Sequence, residues 1–380
     1  MQWQSARYLS VMAFSYPQNT ESVPPAGVIE IDLVALADNY RLMQAQAHGA
    51  EVAAAVKADA YGLGAGRVGK ALWDAGCRRF FVATIAEGLS LRRMLPQAKI
   101  AVLNGLMAGD EESVREARLT PVLNDLDQVA RWNDACGRAG DRGAAMIHVD
   151  TGMNRLGMTM AEAATLAASA PENFRIAVVM SHLACARRPE HPLNARQLQR
   201  FRQVRSLFPD AQASLANSAG VLIGEAYCFD LARVGIALYG GNPVEGWPDP
   251  MKPVVRLSVR VLQERFVEAG ETVGYEATYT TTRPARLAVI AAGYADGWPT
   301  PASGRGKACA GGVIVPFAGR VSMDLIALDV TDAPESAAAP GAMIDLIGPE
   351  WTLDDAASAA GLISYELLTG LGRRFERRYL

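Results

Sequence analysis

The chain has 380 residues, half of them hydrophobic, which is enough for more than one domain with a sizeable core. A formal net charge of −3, with acids and bases interspersed, leaves no electrostatic footprint for nucleic acid or an anionic membrane, so the expected partner is a small molecule. No run approaches the roughly 20 apolar residues of a membrane span, and five scattered cysteines without a C-x-x-C pair point to neither a disulfide framework nor a metal site but to a reducing, cytoplasmic setting.

Residues 1–25 mix Gln, Ser, Pro and scattered aromatics without the charged start and apolar core of a secretory signal, and read as a loosely ordered extension. Asp32 is placed to cap a helix in which Leu33, Leu36, Ala37 and Tyr40 share one face while Asp38, Asn39 and Arg41 fall elsewhere. Short apolar runs then alternate with helical patterns, at 52–56, 80–83, 100–103, 121–123, 144–149, 176–180, 213–216 and 231–234. Eight strands joined by helical crossovers predict an α/β architecture over 26–254, a (β/α)8 TIM-like barrel rather than an open sheet. Nearly every run ends in a polar residue: Lys57, Thr84, Asn104, Asn124, Asp150, His182, Asn217 and Arg233. In a barrel these ends meet at one mouth, where such folds place their chemistry.

After 254 the period changes to two, with Val255, Leu257, Val259 and Val261 alternating against Arg256, Ser258 and Arg260. Further short strands are expected at 287–292, 313–317, 325–330 and 343–347, making 255–380 a mainly-β domain. Residues 331–341 read as an exposed loop, and Arg373, Arg374, Arg377 and Arg378 as a solvated helix end.

The chemistry is concentrated in residues 53–64, where Lys57 closes an apolar run and Tyr61 follows one turn later. Burial disfavours the ammonium and makes such an amine nucleophilic, as Schiff-base formation with an aldehyde requires. Most strand-end lysines are solvated, so Lys57 alone leaves both roles open. The small-residue turns Asn217-Ser218-Ala219-Gly220 and Arg233-Val234-Gly235-Ile236 follow strands seven and eight, where barrels often bind phosphate. Lysine and turns together suggest pyridoxal 5′-phosphate.

Eight ordered motifs, among them 56–64, Asp150-Thr151-Gly152-Met153-Asn154-Arg155, Asn217-Ser218-Ala219, Gly274-Tyr275-Glu276 and Arg320-Val321-Ser322-Met323-Asp324, make the chain similar to the alanine racemases, fold-type III pyridoxal-phosphate enzymes, from residue 28 almost to the C-terminus. The resemblance implies interconversion of L- and D-alanine, for D-alanine and peptidoglycan synthesis or for catabolism, with a serine or broader amino-acid racemase as the alternative. Lys57 is then the cofactor attachment point and one base, and Tyr275 the base on the opposite face. Arg233 partners the pyridine nitrogen, and because guanidinium can only donate, the ring stays unprotonated and transamination is suppressed. Tyr61, Asn217, Ser218, Gly235 and Ile236 surround the phosphate, and His182 bridges Arg233 and Tyr275. Arg155 and the Met323 backbone receive the substrate carboxylate, and Tyr294 narrows the entrance. The resemblance also implies a homodimer with sites shared between subunits. In two places this chain departs from the pattern. His148 stands where many relatives carry a carbamylated lysine that steadies the arginine, and Trp298-Pro299-Thr300-Pro301 replaces an arginine-bearing stretch.

Overall fold

The computed structural model describes residues 24–140 and 142–380, so the expected extension over 1–25 lies outside the described residues except for its last two prolines. The strands in chain order are β1 (Gly27–Ile31), β2 (Glu51–Ala55), β3 (Arg79–Val82), β4 (Lys99–Val102), β5 (Thr120–Leu123), β6 (Gly143–His148), β7 (Phe174–Met180), β8 (Gln212–Ser214) and β9 (Leu231–Val234). Strands β2 to β9 form a single parallel sheet in the order β8-β7-β6-β5-β4-β3-β2-β9. Its two edges meet: the Asp230 N–H donates to Ala213 O at 3.0 Å and the Arg233 N–H to Ala216 O at 2.9 Å, bridging the seam of the barrel.

The strand runs are largely apolar because both faces are buried, with charged residues mostly at their first positions and Arg233 inside β9 an exception. One set of alternate residues, including Ala53, Ala55, Phe81, Ala101, Val122, Met146 and Val178, fills the barrel interior. The other, including Val52, Ala54, Val56, Phe80 and Val82, packs under the helical ring. Alanine at 53, 55 and 101 keeps the interior narrow in volume.

The C-terminal domain is built on the long β10 (Val255–Val267), followed by β11 (Thr272–Val273), β12 (Tyr279–Thr280), β13 (Ala285–Ile290), β14 (Lys307–Ala310), β15 (Val313–Pro316), β16 (Ile326–Asp329), β17 (Met343–Ile347) and β18 (Glu376–Tyr379). β10 pairs antiparallel with β1, β13 and β17. Residues 27–31, grouped with the barrel by sequence, therefore belong to this sheet, where β1 also pairs in parallel with β18. The arginine-rich end is likewise not a helix end: Arg377 and Arg378 lie in β18 and Arg373 and Arg374 in the turn before it, with Arg374 paired to Asp296 and Asp324 and Arg377 bonding four backbone carbonyls. The stretch 331–341 holds the short helix Glu335–Ala338, whose Ala338 is fully buried.

Asp32 caps the helix Leu33–Gln46, accepting the Ala35 N–H at 2.8 Å. Asn39, expected away from the packed face, is buried. Its amide donates to Lys252 O at 2.9 Å and accepts the Lys252 N–H at 2.8 Å, so a polar side chain stitches the helix to the segment leading into β10.

Candidate active site

At the C-terminal mouth of the barrel lies a cavity of about 760 Å³ lined by Lys57, Tyr61, His182, Asn217, Ser218, Arg233, Gly235, Arg155 and His148, among others. Of the eight polar strand ends, Lys57, Asn104, His182, Asn217 and Arg233 line it, and three do not. Thr84 caps the helix Ile85–Met94, Asp150 accepts the N–H groups of Gly152, Met153 and Asn154 at 2.8 Å, and Asn124 lies behind His148.

Lys57 follows β2 and opens a turn of unusual hand. Ala58, Asp59, Ala60 and Tyr61 all have φ between 52° and 58°. A left-handed turn costs L-residues roughly 1–2 kcal/mol each, so its four residues store on the order of 4–8 kcal/mol that surrounding contacts must offset. The turn closes on itself through Ala60 N–H to Val56 O at 2.9 Å and Gly62 N–H to Ala58 O at 2.8 Å. Glu87 Oε1 accepts the Ala58 N–H at 2.8 Å. Burial lowers the Lys57 amine pKa, Arg155 adds repulsion, and Glu87 partly offsets both.

Arg233, on β9, is buried. Its Nη1 donates to Ser214 O and Oγ, and its Nη2 to the carbonyls of Ser181 and Leu215 and, at 3.3 Å, to His182 Nδ1. Among the described residues its Nε–H alone has no protein acceptor. Desolvation pulls the guanidinium down to about 9, still cationic at neutral pH. Because Arg233 only donates, His182 Nδ1 accepts, and the ring proton sits on Nε2. Burial, with Arg233 second, holds His182 well below its ordinary value and therefore neutral.

His148 is fixed by the same logic. The Asn124 amide donates to Val122 O at 2.8 Å and Leu103 O at 3.3 Å, so its Oδ1 accepts from His148 Nδ1 at 2.9 Å. His148 Nε2 is then a bare lone pair in the cavity wall shared with Arg155. Burial, followed by the charges of Arg233 and Arg155, pushes its pKa down to about 4.

The two small-residue turns form one cradle. Ser218 Oγ accepts the N–H of Gly235 at 2.9 Å and of Ala237 at 3.4 Å. A Cβ on Gly235 would lie 2.5 Å from Tyr61 Oη, so the absence of a side chain lets the Tyr61 hydroxyl close on the backbone there. Tyr61 is wedged against Tyr239 and Tyr365, with ring centroids 4.6 and 5.9 Å away. Ile236 differs from its neighbours: its side chain is wholly buried and the residue does not line the cavity.

Tyr275, Tyr294 and Met323 do not reach this cavity. They project from the C-terminal domain, 72%, 47% and 53% exposed. The Tyr294 N–H donates to Ser322 O at 3.0 Å and the Ala295 N–H to Met323 O at 2.9 Å, which places the last two together and leaves the Met323 N–H without an acceptor among the described residues. Sequence reading missed Tyr365 in the wall and Glu87 against the lysine turn, and placed Asn124 at the mouth without its role behind His148. The pattern Thr352-x-x-Asp355, a capping box not used in the sequence reading, is the one local signal for the helix Leu353–Ala359 that precedes Tyr365. Nothing in the local pattern marks Tyr365 itself.

A desolvated lysine, an unspent cationic donor lining the same cavity and the small-residue turns of Ser218 and Gly235 in its wall suit an aldehyde bearing a ring nitrogen and a phosphate. The fold and site thus define a barrel enzyme of the lysine-linked pyridoxal-phosphate class. Sequence profiles narrow this: the alanine racemase N-terminal domain matches residues 31–243 and the C-terminal domain residues 254–379. The chain belongs to the alanine racemase family. It is 49% identical over 358 residues to the catabolic alanine racemase of Agrobacterium fabrum, covering 93% of this chain and 92% of that protein. It is 49% identical over 353 residues to the alanine racemase of Methylobacterium nodulans, covering 93% and 95% of the two chains. The crystal structure of the Bartonella henselae alanine racemase, with covalently bound pyridoxal phosphate, superposes with a TM-score of 0.89 at 40% identity, covering 94% of this chain and all of that one. No helix among the described residues is long and apolar enough to cross a membrane.

Proposed function

We propose that the chain interconverts L- and D-alanine with pyridoxal 5′-phosphate by a two-base mechanism, Lys57 serving one face of the substrate carbon and Tyr275 the other. The observation that carries it is the desolvated Lys57 amine sharing a cavity with the unspent Nε–H of Arg233. The cofactor supplies the covalent linkage and the electron sink that acidifies the substrate Cα–H. Lys57 holds it, Arg233 donates to its ring nitrogen, and Ser218, Gly235 and Tyr61 surround its phosphate. Arg155 binds the substrate carboxylate with its fork, and the Met323 N–H is a second donor for it. Inversion needs a proton taken on one side and delivered on the other. Lys57 accepts or returns it on its own side. Tyr275 does so on the opposite side, with His182 Nε2–H next to its phenol.

Since Tyr275 lies outside the Lys57 cavity of its own chain, the second base comes from another copy, making the active unit a homodimer with shared sites. The buried thiols of Cys77, Cys228 and Cys309 suit a reducing compartment such as the cytoplasm. The test is polarimetry with L-alanine and L-serine alongside an absorbance titration with pyridoxal phosphate. Lys57→Ala is expected to abolish both signals, and a fully active variant would remove the assigned base. Mixing inactive Lys57→Ala and Tyr275→Ala chains should restore activity through the one intact site of each mixed dimer. No restoration, with mixed dimers present, refutes the shared site.

A further inference from the structure

The strained turn that carries Lys57 is gripped from the other domain of its own chain. Arg377 Nε donates to Gly62 O at 2.9 Å and Tyr379 Oη to Leu63 O at 3.0 Å. Both side chains belong to β18 and alternate along it, so one face of that strand meets the turn. Arg377 is itself anchored: Nη1 donates to Gly372 O at 3.0 Å and Phe375 O at 3.1 Å, and Nη2 to Leu371 O at 3.1 Å. Three carbonyls of its own domain thus aim the fourth donor. The fit is close at both glycines of the turn. A Cβ on Gly62 would lie 2.9 Å from Leu368 O, and one on Gly64 would overlap the Tyr379 hydroxyl.

A run of left-handed alanine, aspartate and tyrosine has no intrinsic preference for this shape, and its internal hydrogen bonds are equally available to a relaxed turn. What holds it must come from outside: Tyr61 is packed against Tyr239 and Tyr365, and the hydrogen bonds from outside come from Glu87 at its head and β18 at its exit. We propose that Arg377 and Tyr379 are positioning residues, which hold the lysine turn in its left-handed form so that Lys57 meets the cofactor without first having to be ordered. The proposal rests on the reading of Lys57 as the cofactor lysine.

The test uses the full chain, titrated with pyridoxal phosphate by absorbance, with hydrogen–deuterium exchange of residues 57–64 measured in the cofactor-free protein. Tyr379→Phe deletes only the bond to Leu63 O. It is expected to weaken cofactor binding roughly two- to tenfold, as one hydrogen bond would, and to speed exchange across the turn. Arg377→Ala is expected to do both more strongly. If it does not fold, Tyr379→Phe decides. Ala58 is exposed, and glycine takes the left-handed conformation without steric cost, so Ala58→Gly added to Tyr379→Phe should recover most of the lost affinity. A Tyr379→Phe chain that melts earlier yet keeps wild-type affinity and exchange would show β18 to be ordinary scaffold and overturn the proposal. If wild type and Lys57→Ala titrate identically, it is the functional reading that fails, and the exchange measurement alone then judges the grip of β18.

Discussion

Replacing Gly235 with alanine tests the cradle at its narrowest point. The new methyl would sit 2.5 Å from Tyr61 Oη, 3.3 Å from Cζ and 3.6 Å from the Ala55 methyl. Tyr61 has no easy retreat, since Tyr239 stacks 4.6 Å from its ring and is itself fixed by a 2.9 Å bond to Ala55 O. Forcing an extra methyl into a packed site costs roughly 1–3 kcal/mol. Tyr61 must yield to the methyl, and because both residues line the cavity, cofactor affinity is expected to fall on the order of ten- to a hundredfold. An absorbance titration reads the affinity, and the melting temperature of the cofactor-free chain reads the packing cost separately. Tyr61→Phe in the same chain removes the closest atom and should return part of the packing loss. A Gly235→Ala chain with unchanged affinity would refute the placement of the phosphate against Gly235 and Tyr61.

Two further outcomes are expected. Tyr275→Phe removes one base and leaves the other, so incorporation of solvent deuterium should become unequal between L- and D-alanine; equal incorporation from both enantiomers counts against the assignment. His148, with an ordinary value of 6.5 and about 4 in the fold, refuses a proton that the unfolded chain accepts, so its contribution is intact above pH 6.5 and drains away as pH falls toward 4. The loss amounts to about 3 kcal/mol over that window. His148→Gln should flatten the acid side of the stability profile without levelling it, because His182 is shifted the same way. Denaturation midpoints at pH 7.5 and 5 check this, and a 15N spectrum showing the proton on Nε2 of His148 would overturn the tautomer.

The barrel was legible because its strands are short, apolar and separated by helical patterns, and every run from 52–56 to 231–234 overlaps an observed strand. Its mouth was less so. A polar residue at a strand end signals a turn as readily as a site, which is why Thr84 and Asp150 cap local backbone while Lys57 and Arg233 face the cavity. In the C-terminal domain β10, β13, β15, β16 and β17 were read where they lie, but β1, β18 and the shorter β11, β12 and β14 were not. β18 is four residues of mostly charged side chains whose partner is more than three hundred positions away, and local period carries no information about that pairing. The motifs named Lys57, Arg233 and Ser218. They did not disclose the hand of the turn at 58–61, a property of the tertiary contacts around it. Asn39 shows the same limit from the other side: an amide that counts as polar in any periodicity is buried because two backbone groups of a distant segment satisfy it.

The pairing of β1 with β10 and β18 also sets an order of events during synthesis. β1 leaves the ribosome before either neighbour exists, and the whole barrel is translated in the interval. Until then it is an apolar ribbon with both edges bare, the kind of segment that recruits foreign strands. Cutting the gene near codon 254 would make that condition permanent, so a barrel meant to be expressed alone should begin after Ile31.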